Sequence, residues 1–166
     1  MKTLVLLVLF FVGIGYGSVA VIPRPQSVVE HRGSYILGDT VTVKSDEALN
    51  EYWVEAFRER TGVILVSTDR SYDLTLVTDI KLPKPGSYQL VIQSDGLILN
   101  AKDQAGRFYG MQTLIQLMTD RQIQHPDDPV ELAAMTIVDA PRFPWRGMHL
   151  DVSRHFFLAD YIKEYI

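Results

Sequence analysis

The stretch SYQLVIQSDGLILNAK, residues 87–102, restricts the fold more than any other part of the chain. Tyr88, Leu90 and Ile92 alternate with Gln89, Val91 and Gln93, and Asp95-Gly96 supplies the positive-φ turn that a two-residue hairpin needs. A hairpin that is apolar on one face must lay that face on another layer, so the chain is committed to a layered fold containing a sheet.

The flanking segments say what else is in those layers. After VIPRPQ, alternating apolar stretches broken by Gly and Asp predict two or three strands between Ser27 and Lys44. SDEALNEYWVEAFRERTG places Ala48, Leu49, Tyr52, Trp53, Ala56 and Phe57 on one helical stripe, with Ser45 as the expected cap and Gly62 as the stop. VILVS and LTLVT read as buried strands. From Gln104 to Thr119 the period turns helical, with Asp103 as cap and Ala105, Phe108, Leu114, Ile115 and Met118 on one side. Strands and helices in this order, without strict βαβ alternation, predict an α+β fold: a mostly antiparallel sheet with two helices on one face. Beyond a strand in ELAAMTIVD the character changes. A Pro-rich crossing leads to a second apolar strand at 147–152 and an amphipathic helix from about Leu158. That is one βα unit, which cannot bury its own faces, so a second domain is expected to begin here.

Residues 1–20 read as a secretory signal: Lys2, an apolar run from Leu4 to Ile14, then Ser18 and Ala20 two apart, with cleavage expected after Ala20. The run is shorter than the ~20 residues of a membrane span, so an anchor is the weaker reading. The protein is expected to be exported, to a periplasm or beyond the cell, with no membrane association after cleavage. The formal charge is −4, or −5 without Lys2, and no basic stripe occurs, which argues against nucleic acid as partner. With no Cys in the chain, disulfides, thiolate nucleophiles and Cys-based metal sites are excluded.

Chemistry-bearing side chains gather in PRFPWRGMHLDVSRHFF, residues 141–157. His149 and Asp151 share a face if this is a strand, and His155 lies past its end, a partial ligand set for which no third ligand or outer shell can be named. Asp151 and Arg154 read better as an ion pair. Arg146 is open between such a network and a grip on vicinal sugar hydroxyls, for which its planar five-donor group is suited. Asp127-Asp128 sit in a polar, Pro-bounded loop and read as a solvated turn. Tyr52, Trp53, Phe108 and Tyr109 fall on helix faces and read as core.

Taken with AGRFYGMQTLIQLM and the opening VIPRPQSVV, the 141–157 stretch closely resembles the β-N-acetylhexosaminidases of glycoside hydrolase family 20, over nearly all of residues 21–166. The resemblance implies a signal at 1–20, an amino-terminal α+β domain at 21–140, and at 141–166 the first βα unit of a truncated (β/α)8 barrel. It implies that Arg146 binds hydroxyls of a terminal N-acetylhexosamine, and that Asp151 and Arg154 support the barrel mouth. The substrate implied is a glycan ending in N-acetylglucosamine or N-acetylgalactosamine, and no cofactor or metal is expected. In that family the substrate's own acetamido oxygen attacks the anomeric carbon, the exception to the two-carboxylate scheme. An Asp orients that group and the neighbouring Glu protonates the leaving oxygen. That pair comes from a later barrel strand, and no counterpart of it on a barrel strand occurs before Ile166. A barrel of this kind takes ~250 residues, so the chain is expected to be an amino-terminal fragment, inactive alone. A non-catalytic exported α+β binding module is the alternative.

Overall fold

A computed structural model describes residues 19–70, 72–124, 128–145, 147 and 149–165. Seven strands form one mixed sheet: β1 (Ser27–Leu37), β2 (Thr40–Ser45), β3 (Ile64–Ser67), β4 (Leu74–Thr78), β5 (Tyr88–Gln93), β6 (Gly96–Ala101) and β7 (Val130–Asp139). Helix α1 (Glu51–Thr61) follows β2, α2 (Gln104–Gln124) follows β6, and α3 (Ala159–Tyr165) lies near the end. The spatial order is β1-β7-β5-β6-β4-β2-β3. The α+β class is as expected, but the ladders divide evenly. β1 with β7, β5 with β6 and β5 with β7 are antiparallel. β2 with β3, β2 with β4 and β4 with β6 are parallel. Of the parallel pairs, β2 and β3 are joined through the crossover helix α1, β4 returns beside β2 after β3, and β4 reaches β6 through β5.

Only Gly38 and Asp39 separate β1 from β2, yet four strands lie between them in the sheet. Across a flat sheet that is ~24 Å at ~4.8 Å per strand, whereas Leu37 to Thr40 spans at most ~11 Å. The sheet therefore curls until its β1 edge returns towards β2, and it wraps the helices as it does so. Its inner face carries Val43, Leu74, Leu90, Ile92, Leu99 and Ile137, all fully buried. The expected alternation in β5 holds, with Tyr88, Leu90 and Ile92 inward.

Helix α2 packs on this face through Gly106, Gly110, Leu114 and Met118, an i, i+4 row that runs from small to large. Its first two members have no side chain because none fits. A Cβ on Gly106 would collide with the Ser87 carbonyl oxygen, and one on Gly110 with the Leu99 methyls. Ala105, expected on the buried side, is exposed, since the row of glycines turns the helix towards residue 106. Asp103 caps as expected, its Oδ1 accepting from Gly106 N at 2.9 Å.

Two local expectations are corrected. Helix α1 starts not from Ser45 but from Asn50, whose Oδ1 accepts from Trp53 N at 3.3 Å. Ser45 instead ends β2 and accepts from Arg107 Nη1 at 3.0 Å. Gly62 ends the helix as expected, at φ 73° with its N–H on Arg58 O at 2.8 Å. Tyr52, read as core, is exposed, because the buried stripe of α1 runs through Phe57 and Thr61 and Tyr52 falls on the other side of the helix. In the hairpin, Gln93 pairs with Gly96, so the loop is Ser94-Asp95 and Gly96 opens β6 at φ 149°. The positive φ is used there because Asp73 O packs against Gly96 and accepts from Leu97 N at 2.7 Å.

Of the expected terminal βα unit, the helix is present as α3, one residue later than expected. Residues 147 and 149–152 carry no strand ladder, since the described residues offer them no neighbouring strand to pair with. Most of the expected export signal, residues 1–18, lies outside the described residues. No helix among the described residues is long and apolar enough to cross a membrane.

Candidate functional site

The lead-in to the 141–157 stretch is held by a strap from the start of the chain. Pro23 and Pro25 keep residues 22–26 out of helix and sheet, which frees their backbone groups for other partners. Ile22 N donates to Gln116 Oε1 at 2.8 Å, tying the strap to α2. Gln26 then grips the exit of β7 twice: its N–H donates to Asp139 Oδ1 at 3.2 Å and its Nε2 to Ala140 O at 2.8 Å. Arg142 returns the contact, Nη2 donating to Arg24 O at 3.5 Å. The direction in which the chain leaves β7 is set by these bonds, and Pro141 and Pro144 stiffen the few residues that follow.

Arg146, the expected sugar-binding residue, lies outside the described residues. Asp151 and Arg154 come together: Arg154 Nε donates to Asp151 Oδ2 at 2.7 Å. It is a single bond and not the bidentate fork. Ser153 completes the cluster, its hydroxyl donating to Asp151 Oδ1 at 2.7 Å and its N–H at 2.9 Å. The Ser153 hydroxyl first, and then Arg154, hold the Asp151 carboxyl down to about 2, so it is an anion at any working pH. His149 and His155 are exposed, and the Asp151 oxygens are engaged by Ser153 and Arg154. Among the described residues no three His, Asp or Glu side chains converge as a metal set. Asp127 lies outside the described residues, and Asp128 stands 3.9 Å from Arg121. The surface of the segment is apolar and uncovered: Phe143, Trp145 and Phe156 are each more than 60% exposed, and Phe157 stacks on Tyr161 at 4.9 Å.

One charged residue was not singled out in sequence. Arg107, inside AGRFYGM, is 2% exposed. It bonds Asp46, Ser45 Oγ at 3.0 Å and Thr78 Oγ1 at 2.7 Å. It joins α2 to the ends of β2 and β4 and holds the segment before α1. The only sign of this in sequence is a cation between apolar and Gly positions of one helix, one turn from the cap.

Comparisons with known proteins bear on what this arrangement belongs to. The family model for glycosyl hydrolase family 20, domain 2, matches residues 18–140. The chain is 33% identical over 150 residues to an N,N'-diacetylchitobiase of Vibrio harveyi, covering 87% of this chain and 16% of that protein. It is 33% identical over 151 residues to a beta-hexosaminidase of Vibrio vulnificus, covering 90% and 17%. It thus spans about a sixth of the length of these relatives. Among solved structures, a Streptomyces plicatus N-acetyl-beta-hexosaminidase in complex with Thio-NAglucal superposes with TM-score 0.73 at 29% identity, covering 90% of this chain and 32% of that one. A beta-N-acetylhexosaminidase from Bacteroides fragilis gives TM-score 0.74 at 22% identity over 87% and 29%, a likeness of fold.

Proposed function

This chain belongs to glycosyl hydrolase family 20, and we propose that the protein it comes from is an exo-acting β-N-acetylhexosaminidase that removes terminal N-acetylglucosamine or N-acetylgalactosamine from glycans. The match of residues 18–140 to the family's domain 2 carries this reading. The names of the relatives, a chitobiase and a beta-hexosaminidase, support it. The chemistry is substrate-assisted with retention and requires an Asp-Glu pair on a later strand of the catalytic barrel. The 166-residue chain by itself is inactive.

Within this chain Arg146 carries the substrate contact. A guanidinium presents five N–H donors in a plane, matched to two neighbouring sugar hydroxyls that must be oriented without being deprotonated. Asp151, kept ionised by Ser153 and Arg154, braces the turn after it. The protein is exported through the signal at 1–20, and it needs no cofactor.

The test is hydrolysis of an aryl N-acetylglucosaminide. The 166-residue chain should give no turnover, and a longer protein that contains it should give turnover that Arg146→Ala lowers about 100-fold or more in kcat/KM, the scale of losing a charged, bidentate substrate contact. Turnover by the short chain, or none by the longer protein, would overturn the reading.

A further inference from the structure

Between the strap, α2 and the end of β7 lies a cleft of about 220 Å3. That falls below the ~300–1,000 Å3 of sites for drug-sized ligands. It suits a guest of one ring.

The polar wall is biased towards donors. Gln112 and Gln116 both line the cleft, and both have their amide oxygen engaged elsewhere. Gln112 Oε1 accepts from Arg60 Nη1 at 3.1 Å, and Gln116 Oε1 accepts from Ile22 N at 2.8 Å. An amide whose oxygen is engaged has its NH2 group left to offer. Arg24 and Arg142, both exposed, line the same cleft and bring two guanidinium groups to it, one nitrogen of Arg142 being engaged on Arg24 O. The carboxylate there, Asp139, already accepts from Gln26 N. Two cations against one anion make this a positive hollow on a chain whose net charge is −4. A donor-rich, positive wall selects a guest rich in acceptors and negatively charged. Pro23, Tyr109 and Pro141 also line the cleft and add apolar surface, which suits the C–H face of a ring.

We propose that this cleft is a binding site for a sugar acid of a single ring, a hexuronate, with the carboxylate between Arg24 and Arg142 and the ring hydroxyls on the amides of Gln112 and Gln116. Its residues come from the α+β layer, the strap and the exit of β7, with Pro141 and Arg142 at the start of the 141–166 segment.

Titration of the 15N-labelled 166-residue chain with glucuronate, with glucose and acetate as controls, tests it. Saturable shifts of the Gln112 and Gln116 side-chain NH2 signals are expected. Glucuronate should bind at least about tenfold more tightly than either control, the worth of one charge-assisted hydrogen bond. Arg142→Ala, at an exposed position, should weaken binding about tenfold on the same grounds. Gln112→Glu keeps the shape and the acceptor for Arg60 but replaces the NH2 donor by a charged oxygen, and should abolish binding while the rest of the spectrum stays in place. Equal response to glucuronate and glucose, shifts away from the cleft, or unchanged affinity in Gln112→Glu would each overturn the proposal.

Discussion

The Tyr35 hydroxyl donates to Asp73 Oδ1 at 2.5 Å and so joins β1, an edge strand, to the residue just before β4, with three strands between them in the sheet order. Asp73 Oδ2 takes Thr42 Oγ1 at 2.6 Å and Thr42 N at 2.8 Å, which brings β2 into the same knot. Sheet pairing joins β2 to β4 but alone would leave β1 apart from both. The knot is where the curl of the sheet is fastened.

This knot should show in the pH dependence of stability. Burial pushes the Asp73 carboxyl up, but bonds from Thr42 and Tyr35 outweigh it and leave it below its ordinary value. A lowered folded value means that its contribution is present above the unfolded value of ~3.9 and is lost as pH falls through the folded one. Burial, then the bond to Asp73, pushes the Tyr35 hydroxyl up to about 12. That contribution is present below the unfolded value of ~10 and is lost as pH rises towards the folded one. Tyr35→Phe should cost ~1–3 kcal/mol at pH 7, the range for a hydrogen bond to a charged group. It should also flatten the alkaline loss in urea unfolding without removing it, because Tyr88, pushed up to about 12 chiefly by burial, still titrates.

Gly106→Ala should destabilise the fold although alanine favours helix by ~1 kcal/mol. The added methyl meets backbone, the Ser87 carbonyl, which cannot rotate away. A net loss of ~1–3 kcal/mol is expected, as for overpacking. Gly110→Ala meets only the Leu99 side-chain atoms, which can change rotamer, so its loss should be the smaller of the two in denaturant unfolding.

Arg107 holds Asp46, Ser45 and Thr78 from a buried position, and its Nε has no partner. Arg107→Lys should therefore fail to restore what Arg107→Ala loses, because an ammonium cannot reach three acceptors in the geometry of a fork. Both variants should fall by ~1–3 kcal/mol, the scale for leaving buried hydrogen-bonding groups without partners, since Asp46 keeps access to water. Amide exchange should rise first around Ser45–Asn50, the segment Arg107 holds.

The Asp151 carboxyl should titrate at about 2 in a carbon-detected NMR titration. Ser153→Ala removes the leading cause and should move it towards the ordinary carboxylate range, with Arg154→Ala moving it less. Equal and null effects of both substitutions would mean that the turn seen at 151–154 is not populated in solution.

Much of the fold was legible because it is local. Parity in residues 88–93, the Asp103 cap and the Gly62 stop each depend on side chains within one turn or one strand, and all three stand in the structure. Ser45 was misread as a cap because a hydroxyl before an acidic turn has the right chemistry, and what claims it is Arg107, 62 residues away. The hexosaminidase motif at 141–157 was legible as a resemblance, whereas the strap of Gln26 over Ala140 was not, since nothing adjacent to either residue marks it.

The sequence by itself determined most of the elements, the inward face of β5 and the family, since periodicity and motifs are properties of short stretches of chain. Tertiary structure alone decided the strand order, the even division between parallel and antiparallel ladders, the curl fastened at Tyr35 and Asp73, and the burial of Arg107. The reason is physical. A strand's side-chain pattern says which face is buried but not which neighbour supplies its hydrogen bonds, and an arginine's charge says it needs acceptors but not where along the chain they lie.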